Sequence, residues 1–361
     1  MDKLKVGIIG ATGMVGQRFA ALLSGHPWFE TAVLAASPRS AGRPYEDALR
    51  DKCSASPRIP EELRYMELID AADVRGIAGR VDFVFCAIDL DKAAIRELED
   101  AYALAELPVI SNNSAHRDTP DVPMIIPELN APHMQVIDAQ RKRLGTRRGF
   151  IAVKSNCSIQ SYVPMLHPLR GRYGLKSAVV STYQAVSGAG KTIESFPEIQ
   201  DNVIPYIGGE ERKSELEPLK IWGTLGEGGI IPAAEPVISA KCVRIPVSDG
   251  HLATVLASFE RKPDLDEIKS IWRGFSGPPQ ELGLPSAPKQ FIHYFEEADR
   301  PQTRLDRDLE NGMAVAAGRL QEDRQFDIGF VGLSHNTVRG AAGGAILLAE
   351  LLYACGYIEQ K

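Results

Sequence analysis

The sequence has no long uninterrupted apolar run, no CxxC pair and no excess of basic charge. Without about 20 consecutive apolar residues, no segment suits a membrane-spanning helix. The five cysteines, Cys53, Cys86, Cys157, Cys242 and Cys355, are odd in number and widely spaced. That pattern argues against a disulfide framework or a structural zinc site, and for a reducing compartment. A formal net charge of −6 gives no reason to expect a nucleic-acid partner or an anionic membrane surface. A small anionic substrate would therefore need a local basic pocket. The opening MDKLKVGIIGATG lacks the regions of a signal peptide, so a soluble cytoplasmic protein is expected. No internal repeat or low-complexity tract stands out.

What is present is ordinary for a globular chain, with 44% hydrophobic and 24% charged residues. A length of 361 residues suits roughly two to three domains. Strands are expected at Leu4 to Ile9, Thr31 to Ala36, Val81 to Ile88 and Pro108 to Ile110. Helices are expected at Met14 to Leu23 and Asp91 to Leu104. The run VDFVFCAI is continuously apolar, as in a strand buried on both faces. Strands alternating with helices imply a parallel sheet in an α/β domain. After about residue 150 the texture changes. Val179 to Tyr183, Lys241 to Pro246 and His251 to Phe259 look like longer strands with polar alternation, which predicts a second domain with a mixed or antiparallel sheet. Ser276 to Pro288 is expected as a surface loop. Val338 to Tyr357 is expected as a small-residue and leucine-rich helix.

Gly10, Gly13 and Gly16 stand in GATGMVG, directly after a strand and opening a helix. Such glycines permit a tight turn, close approach of the backbone to a pyrophosphate, and close helix–strand packing. The helix N-terminus adds amide donors and a favourable dipole. The spacing is GxxGxxG rather than GxGxxG, and a ligand-free glycine turn is the plainer alternative. At the end of the second strand, an acidic residue would suit the ribose of NAD. Here Ser37-Pro38-Arg39-Ser40 stands instead, with Arg43 close by. A guanidinium and two hydroxyls suit a 2′-phosphate and favour NADP. A solvated basic turn is the plainer reading.

Cys157 lies in Lys154-Ser155-Asn156-Cys157-Ser158, ahead of an apolar stretch read as a helix. A strand-to-helix junction is expected to expose the sulfur and lower its pKa. Cys86 and Cys355 are expected as inert core, Cys242 on a strand, and Cys53 in a charged loop. A lone cysteine is more often structural than catalytic. The dinucleotide loop shifts that balance, because hydride removal from a thiohemiacetal needs a thiolate. Such chemistry wants a nearby base, usually histidine. His251 follows Ser248-Asp249-Gly250 and opens a strand, but composition does not choose among the seven histidines.

Taken together, GATGMVGQRF, ASPRSAGRPY, SNNSAHR with DVPMIIPELN, SNCS, STYQAVSGAG, EERK, RIPVSDGH, LDRDLENGMAVAAGR and LSHNTVRGAAGGAILLAELL resemble the archaeal and fungal branch of the aspartate-semialdehyde dehydrogenase family. They span residues 7 to 352 in family order. The resemblance implies a Rossmann-type parallel-sheet domain plus an α+β catalytic and dimerisation domain with a mixed sheet. The expected boundaries are 1–154 with 336–361 for the NADP domain, and 155–335 for the other. It implies Cys157 as nucleophile, His251 as the catalytic histidine that shuttles the proton, and Gln184 beside the nucleophile. Arg244 is implied for the substrate carboxylate. Arg117, Asn156 and Lys213 are implied for phosphate, and Glu210 for the substrate amine, with Glu211 adjacent. Cofactor contacts are implied at Gly10, Thr12, Gly13, Met14, Val15, Gly16, Ser37, Arg39, Ser40, Ser187, Gly188 and Asn336. The resemblance implies no metal, and at least a homodimer, up to a tetramer.

The implied reaction is NADPH-dependent conversion of aspartyl phosphate to aspartate semialdehyde and phosphate, in biosynthesis of the aspartate family of amino acids. A malonyl-CoA reductase, similar to the same branch, is the nearest rival. It would have no substrate amine for Glu210 to recognise. A non-catalytic NADP-binding sensor is the rival of a different class. It would need none of Cys157, Gln184, Arg244 and His251.

Overall fold

The structure is a computed structural model that describes residues 2–50 and 58–361. Cys53 lies outside the described residues. Seven strands, β1 (Leu4–Ile9), β2 (Phe29–Ala36), β3 (Ile69–Asp70), β4 (Phe83–Cys86), β5 (Val109–Ser111), β6 (Met124–Ile125) and β7 (Ile151–Lys154), form one sheet. Their order is β3-β2-β1-β4-β5-β7-β6, and every pairing is parallel. β4 and β7 are buried throughout, because helices cover both faces of the sheet. The helix Met14–Leu23 follows β1, and Lys92–Leu104 follows β4. Asp91 caps the latter by accepting from the amides of Ala93 and Ala94. The order reverses at β1 and β4, which opens a crevice at the carboxyl ends of the strands.

The remaining strands are β8 (Leu175–Gln184), β9 (Thr224–Gly226), β10 (Gly229–Ile231), β11 (Val237–Arg244), β12 (His251–Phe259), β13 (Ile292–Tyr294), β14 (Val315–Glu322) and β15 (Ile328–Ser334). β9 and β10 pair as a hairpin. The other six form a mixed sheet, β11-β8-β12-β15-β14-β13. β8 runs parallel to β11 and antiparallel to β12. Along β12, Ala253, Val255 and Ala257 are buried and Leu252, Thr254, Leu256 and Ser258 only partly so. That period of two marks a sheet with one covered face. The helices Val163–Tyr173 and Leu265–Gly274 pack on this part of the chain. There the indole of Trp272 donates to Met165 O at 2.9 Å.

The helix Gly343–Ala354 packs against β5, β7 and Met14–Leu23. Three expectations need correction. Val338 to Tyr357 is not one helix: a π-turn, Val338–Ala342, precedes Gly343–Ala354, with Ala341 forced out of helical geometry. Cys355 is exposed rather than core, because the helix ends at Ala354 and Gly356 turns the chain in left-handed geometry at φ 77°. Ser276 to Pro288 is no plain loop, since Pro278–Glu281 makes a helical turn with Pro279 buried. Proline at the first helical positions is pre-organised to start such a turn.

Candidate active site

The glycine loop closes the crevice at its β1 end. Gly10 has φ +89°, and a Cβ there would come within 2.5 Å of Ala87 O after β4. A Cβ on Gly16 would meet Gly10 O at 2.2 Å. Both positions therefore demand glycine. Gly13 is different: it is exposed and caps the helix Met14–Leu23, its amide donating to Gly10 O at 3.0 Å. Thr12 is buried, its carbonyl accepting from Gln17 Nε2 at 3.0 Å, and Met14 and Val15 are half-buried. Beside the loop, Ser37, Pro38, Ala71, Ile88, Leu90 and Leu98 line a mostly apolar groove of about 390 Å³. Arg39, two residues after Ser37, is exposed and makes no ion pair among the described residues. Ser40 turns the chain back by donating its amide to Ser37 O at 2.9 Å. A helix start behind a glycine turn, an apolar slot and an exposed guanidinium fit a phosphorylated dinucleotide.

Cys157 follows β7 and is half-buried. Its loop is held from several sides. Asn156 accepts with Oδ1 from the amide and hydroxyl of Ser158 at 2.7 and 2.6 Å. Gln160 Nε2 donates to Ser155 Oγ at 2.8 Å. Gln160 Oε1 in turn accepts from Arg339, which is buried and paired with buried Glu128. Gly340 presses on the loop, for a Cβ there would lie 2.8 Å from Cys157 Cβ.

The helix Glu210–Ile221 supplies the other side. Glu210, Lys213, Ser214 and Glu217 recur at helical spacing, so they share one face. Glu210 is buried and accepts from Lys213 Nζ at 2.7 Å and from Asn156 Nδ2 at 2.9 Å. Gln184 Nε2 reaches the same carboxylate at 3.4 Å. Glu211 faces outward to Lys241 at 3.4 Å. Glu217 accepts from the Asn156 amide at 2.6 Å and from Arg117 Nη1 at 2.9 Å. Two carboxylates of one helix thus draw Arg117, Asn156 and Lys213 around the Cys157 loop. Glu217 escaped the sequence reading, although it lies one helical step beyond Lys213 on the face of Glu210.

The third side is the end of the mixed sheet. Gln184 ends β8, Arg244 ends β11 opposite it, and His251 begins β12. One residue, Ala185, holds two of these side chains through its backbone. Its N–H donates to His251 Nδ1 at 3.1 Å, and its carbonyl accepts from Arg244 Nη1 at 2.6 Å. Gly188 sits over both, since a Cβ there would lie 3.0 Å from His251 Nε2 and 2.9 Å from Arg244 Nη1. Asn336 joins this corner to the rest: it donates to Ser187 Oγ and accepts from the Gly250 amide, both at 2.8 Å.

Charge sets the resting state. Burial, then the Glu210 carboxylate, push the Cys157 thiol up, while Lys154, Arg117 and Arg244 pull it down. A lowered thiol was expected from a helix end. The helical piece after Cys157 is only a four-residue 3-10 turn, Ser158–Ser161, and desolvation outweighs it. Lys154 is itself buried, bonds Ser155 O at 2.5 Å, and is pushed down to about 7 by burial. His251 is fully buried and held at about 3, first by desolvation and then by the Arg244 cation. Arg244 and Glu210 act on both Cys157 and His251, so sulfur and imidazole share one electrostatic pocket.

Comparison with known proteins bears on this site. Residues 5–137 match the model of the semialdehyde dehydrogenase NAD binding domain, and residues 166–339 that of the semialdehyde dehydrogenase dimerisation domain. The aspartate-semialdehyde dehydrogenase of Methanothermobacter thermautotrophicus is 44% identical, covering 97% of this chain and 99% of that one. Its namesake in Schizosaccharomyces pombe is also 44% identical, over 96% of this chain and 97% of that one. The crystal structure of aspartate semialdehyde dehydrogenase with NADP from Candida albicans is 38% identical, with TM-score 0.89 over 99% of this chain and 100% of that one. With that likeness running nearly end to end, the chain belongs to the aspartate-semialdehyde dehydrogenase family.

Proposed function

We propose that the chain catalyses the reversible, NADPH-dependent reductive dephosphorylation of L-4-aspartyl phosphate to L-aspartate 4-semialdehyde through a thioester on Cys157. One observation carries this reading: Glu210 and Glu217 tie the Cys157 loop to Lys213 and Arg117. That arrangement supports a cysteine working among the cations that an acyl phosphate requires in an acidic protein. The names of the relatives support it.

Cys157 attacks the acyl carbon and expels phosphate toward Arg117 and Lys213. The reduced nicotinamide, when bound, supplies the hydride. Arg244 offers a bidentate fork to the substrate carboxylate. Glu210 recognises the substrate amine, and its burial beside Gln184 and Asn156 favours it over Glu211. Asn156 acts through its position, because its side-chain amide and oxygen are engaged by Glu210 and Ser158. Gln184 stands beside the nucleophile, and His251 serves the acyl oxygen. Gly10, Gly13 and Gly16 shape the pyrophosphate cradle, Arg39 with Ser37 and Ser40 meets the 2′-phosphate, and Ser187, Gly188 and Asn336 border the nicotinamide half. Residues 1–154 with 336–361 form the cofactor unit, and 155–335 the catalytic and dimerisation unit.

Free Cys86, Cys157, Cys242 and Cys355 suit a cytoplasmic setting. Among the described residues no helix is long and apolar enough to cross a membrane. The partly open face of β8, β11 and β12 suits a second copy of the chain.

The test is NADP reduction with aspartate semialdehyde, with and without phosphate, beside NADPH oxidation with malonyl-CoA. Phosphate-dependent turnover that Cys157→Ser abolishes, with cofactor binding kept, is the expected result. Malonyl-CoA turnover without semialdehyde turnover would overturn it.

A further inference from the structure

Between β5 and β6 the chain runs from 112 to 123 without a strand or a helix. This loop carries Arg117. Carbonyls that leave the ladder of a sheet need donors from elsewhere when they are buried. Three of them share one donor group. Lys220 Nζ donates to the carbonyls of Arg117 at 2.9 Å, Thr119 at 2.6 Å and Val122 at 2.9 Å. An ammonium has three protons, so all of them go to this loop. Lys220 is buried, and burial pushes it down to about 8. Asp118, Asp121 and Glu217 support its charge only from a distance. A cation without an ion-pair partner is costly to bury, and a neutral donor would serve a plain loop at less cost.

What distinguishes this tie is where it acts. Lys220 lies three residues after Glu217 on one face of the helix Glu210–Ile221. Glu217 takes Arg117 Nη1 at 2.9 Å, and Lys220 takes the carbonyl of the same residue. One helix face thus grips Arg117 at both ends, side chain and backbone. Within the loop, Arg117 Nη2 donates to Asn112 O at 3.0 Å. Arg117 Nε is buried and has no hydrogen-bond partner. Another helix, Lys92–Leu104, holds the part of the loop before Arg117. There Arg96 Nε donates to Ala115 O at 3.2 Å, and Glu99 accepts from Asn113 Nδ2 at 3.0 Å. Lys220 holds Arg117 itself and the residues that follow.

We infer that Lys220 is a positioning residue for the phosphate step: by gathering the carbonyls of Arg117, Thr119 and Val122, it sets the backbone from which the Arg117 guanidinium reaches phosphate. This rests on the reading above that Arg117 receives phosphate. Lys220 acts through Arg117, because its own three protons are taken.

The semialdehyde-oxidising direction separates this role from the rest of the chemistry. The Cys157 thiolate adds to the aldehyde carbon, and the carbonyl pair moves onto oxygen. C=O re-forms as hydride passes to NADP, which leaves the thioester. Only then does a phosphate oxygen bond the acyl carbon, and the C–S pair returns to sulfur. A backbone that no longer presents Arg117 must be ordered at each phosphate binding event, which weakens that step alone.

The test therefore reads the two halves apart. NADP-bound protein given aspartate semialdehyde without phosphate should form about one NADPH per site in a burst, in the wild type and in Lys220→Met alike. With phosphate present, Lys220→Met should raise KM for phosphate at least about tenfold and change KM for NADP less than about twofold. In an Arg117→Ala background, Lys220→Met should add less than about twofold, since its effect passes through Arg117. An unchanged KM for phosphate, equal rises in both KM values, loss of the burst in the variant alone, or full multiplication of the two effects would make Lys220 an ordinary packing tie and overturn the inference. If Lys220→Met does not fold, Lys220→Gln, which keeps two amide protons at one bond less reach, carries the same cycle with a rise of at least about threefold. Failure of the phosphate reading looks different. Arg117→Ala would then leave KM for phosphate unchanged, whatever Lys220→Met does, and the inference would fall with it.

Discussion

Cys157 is subject to opposed fields, and their balance is measurable. Burial and Glu210 hold the thiol up, so both turnover and alkylation should rise as pH increases and the thiolate forms. Lys154 is the cation that pulls hardest the other way. In Lys154→Met, Cys157 should alkylate more slowly than in the wild type at low pH. Because Lys154 discharges at about 7, the two rates should converge as pH rises above that value. Rates measured by mass spectrometry at several pH values check this, and a constant ratio would refute it. Exposed Cys355 must be resolved in the same experiment, since it is open to reagent. At the cofactor end, Arg39 is a single exposed charge. Its loss should weaken NADP by about 1.5–3 kcal/mol, tenfold or more, and leave NAD nearly unchanged. Titration of both cofactors into Arg39→Ala decides the point.

At the scale of the element, the helix Glu210–Ile221 holds the Cys157 loop through two carboxylates. A carboxylate at Glu217 bonds a mostly buried guanidinium and the amide next to Cys157. Glu217→Ala would leave Arg117, whose side chain is 11% exposed, without its carboxylate and with only the Asn112 carbonyl at 3.0 Å. Breaking such a pair should cost on the order of 3 kcal/mol. It should also raise KM for phosphate in the semialdehyde-oxidising direction far more than KM for NADP. Denaturant unfolding and initial-rate kinetics would show both. Equal changes in the two KM values would indicate general loosening of the fold instead. The π-turn Val338–Ala342 is the opposing element. It brings Gly340 onto Cys157, so small residues there serve the Cys157 loop as well as the packing of the last helix.

For the whole molecule, two units with different sheets meet along one seam. The carboxyl end of the parallel sheet brings the glycine loop and Cys157, and the mixed sheet brings Gln184, Arg244 and His251. Buried Arg339 and Glu128 fasten the last helix segment to the chain following β6. The outer face of the mixed sheet leaves Val179 at 39% and Val237 at 68% exposure. Apolar side chains on an uncovered sheet face suit association with a second copy. Replacing both valines with glutamate should shift the light-scattering mass from dimer or larger toward monomer. An unchanged mass would place the interface elsewhere.

Much of this was legible in local patterns. The strand–GATGMVG–helix unit, the doubly buried strands and the alternation along β12 follow from neighbours a few residues apart, so periodicity alone exposes them. The motifs around Cys157, Arg244 and His251 identified the family before any contact was known. Other features depended on residues brought together from far along the chain. Glu217 is 61 positions from Asn156, and nothing local says that its carboxylate reaches that amide. The Cys157 thiol was expected to be lowered by a helix end, yet desolvation decides its direction, and burial is a property of the packed molecule. The His251 ring is held by the backbone N–H of Ala185, a group nearly every residue carries and no sequence pattern marks. Residue types determined which chemistry was available, and tertiary packing decided charge state and reach, because these depend on distance and dielectric rather than on chain order.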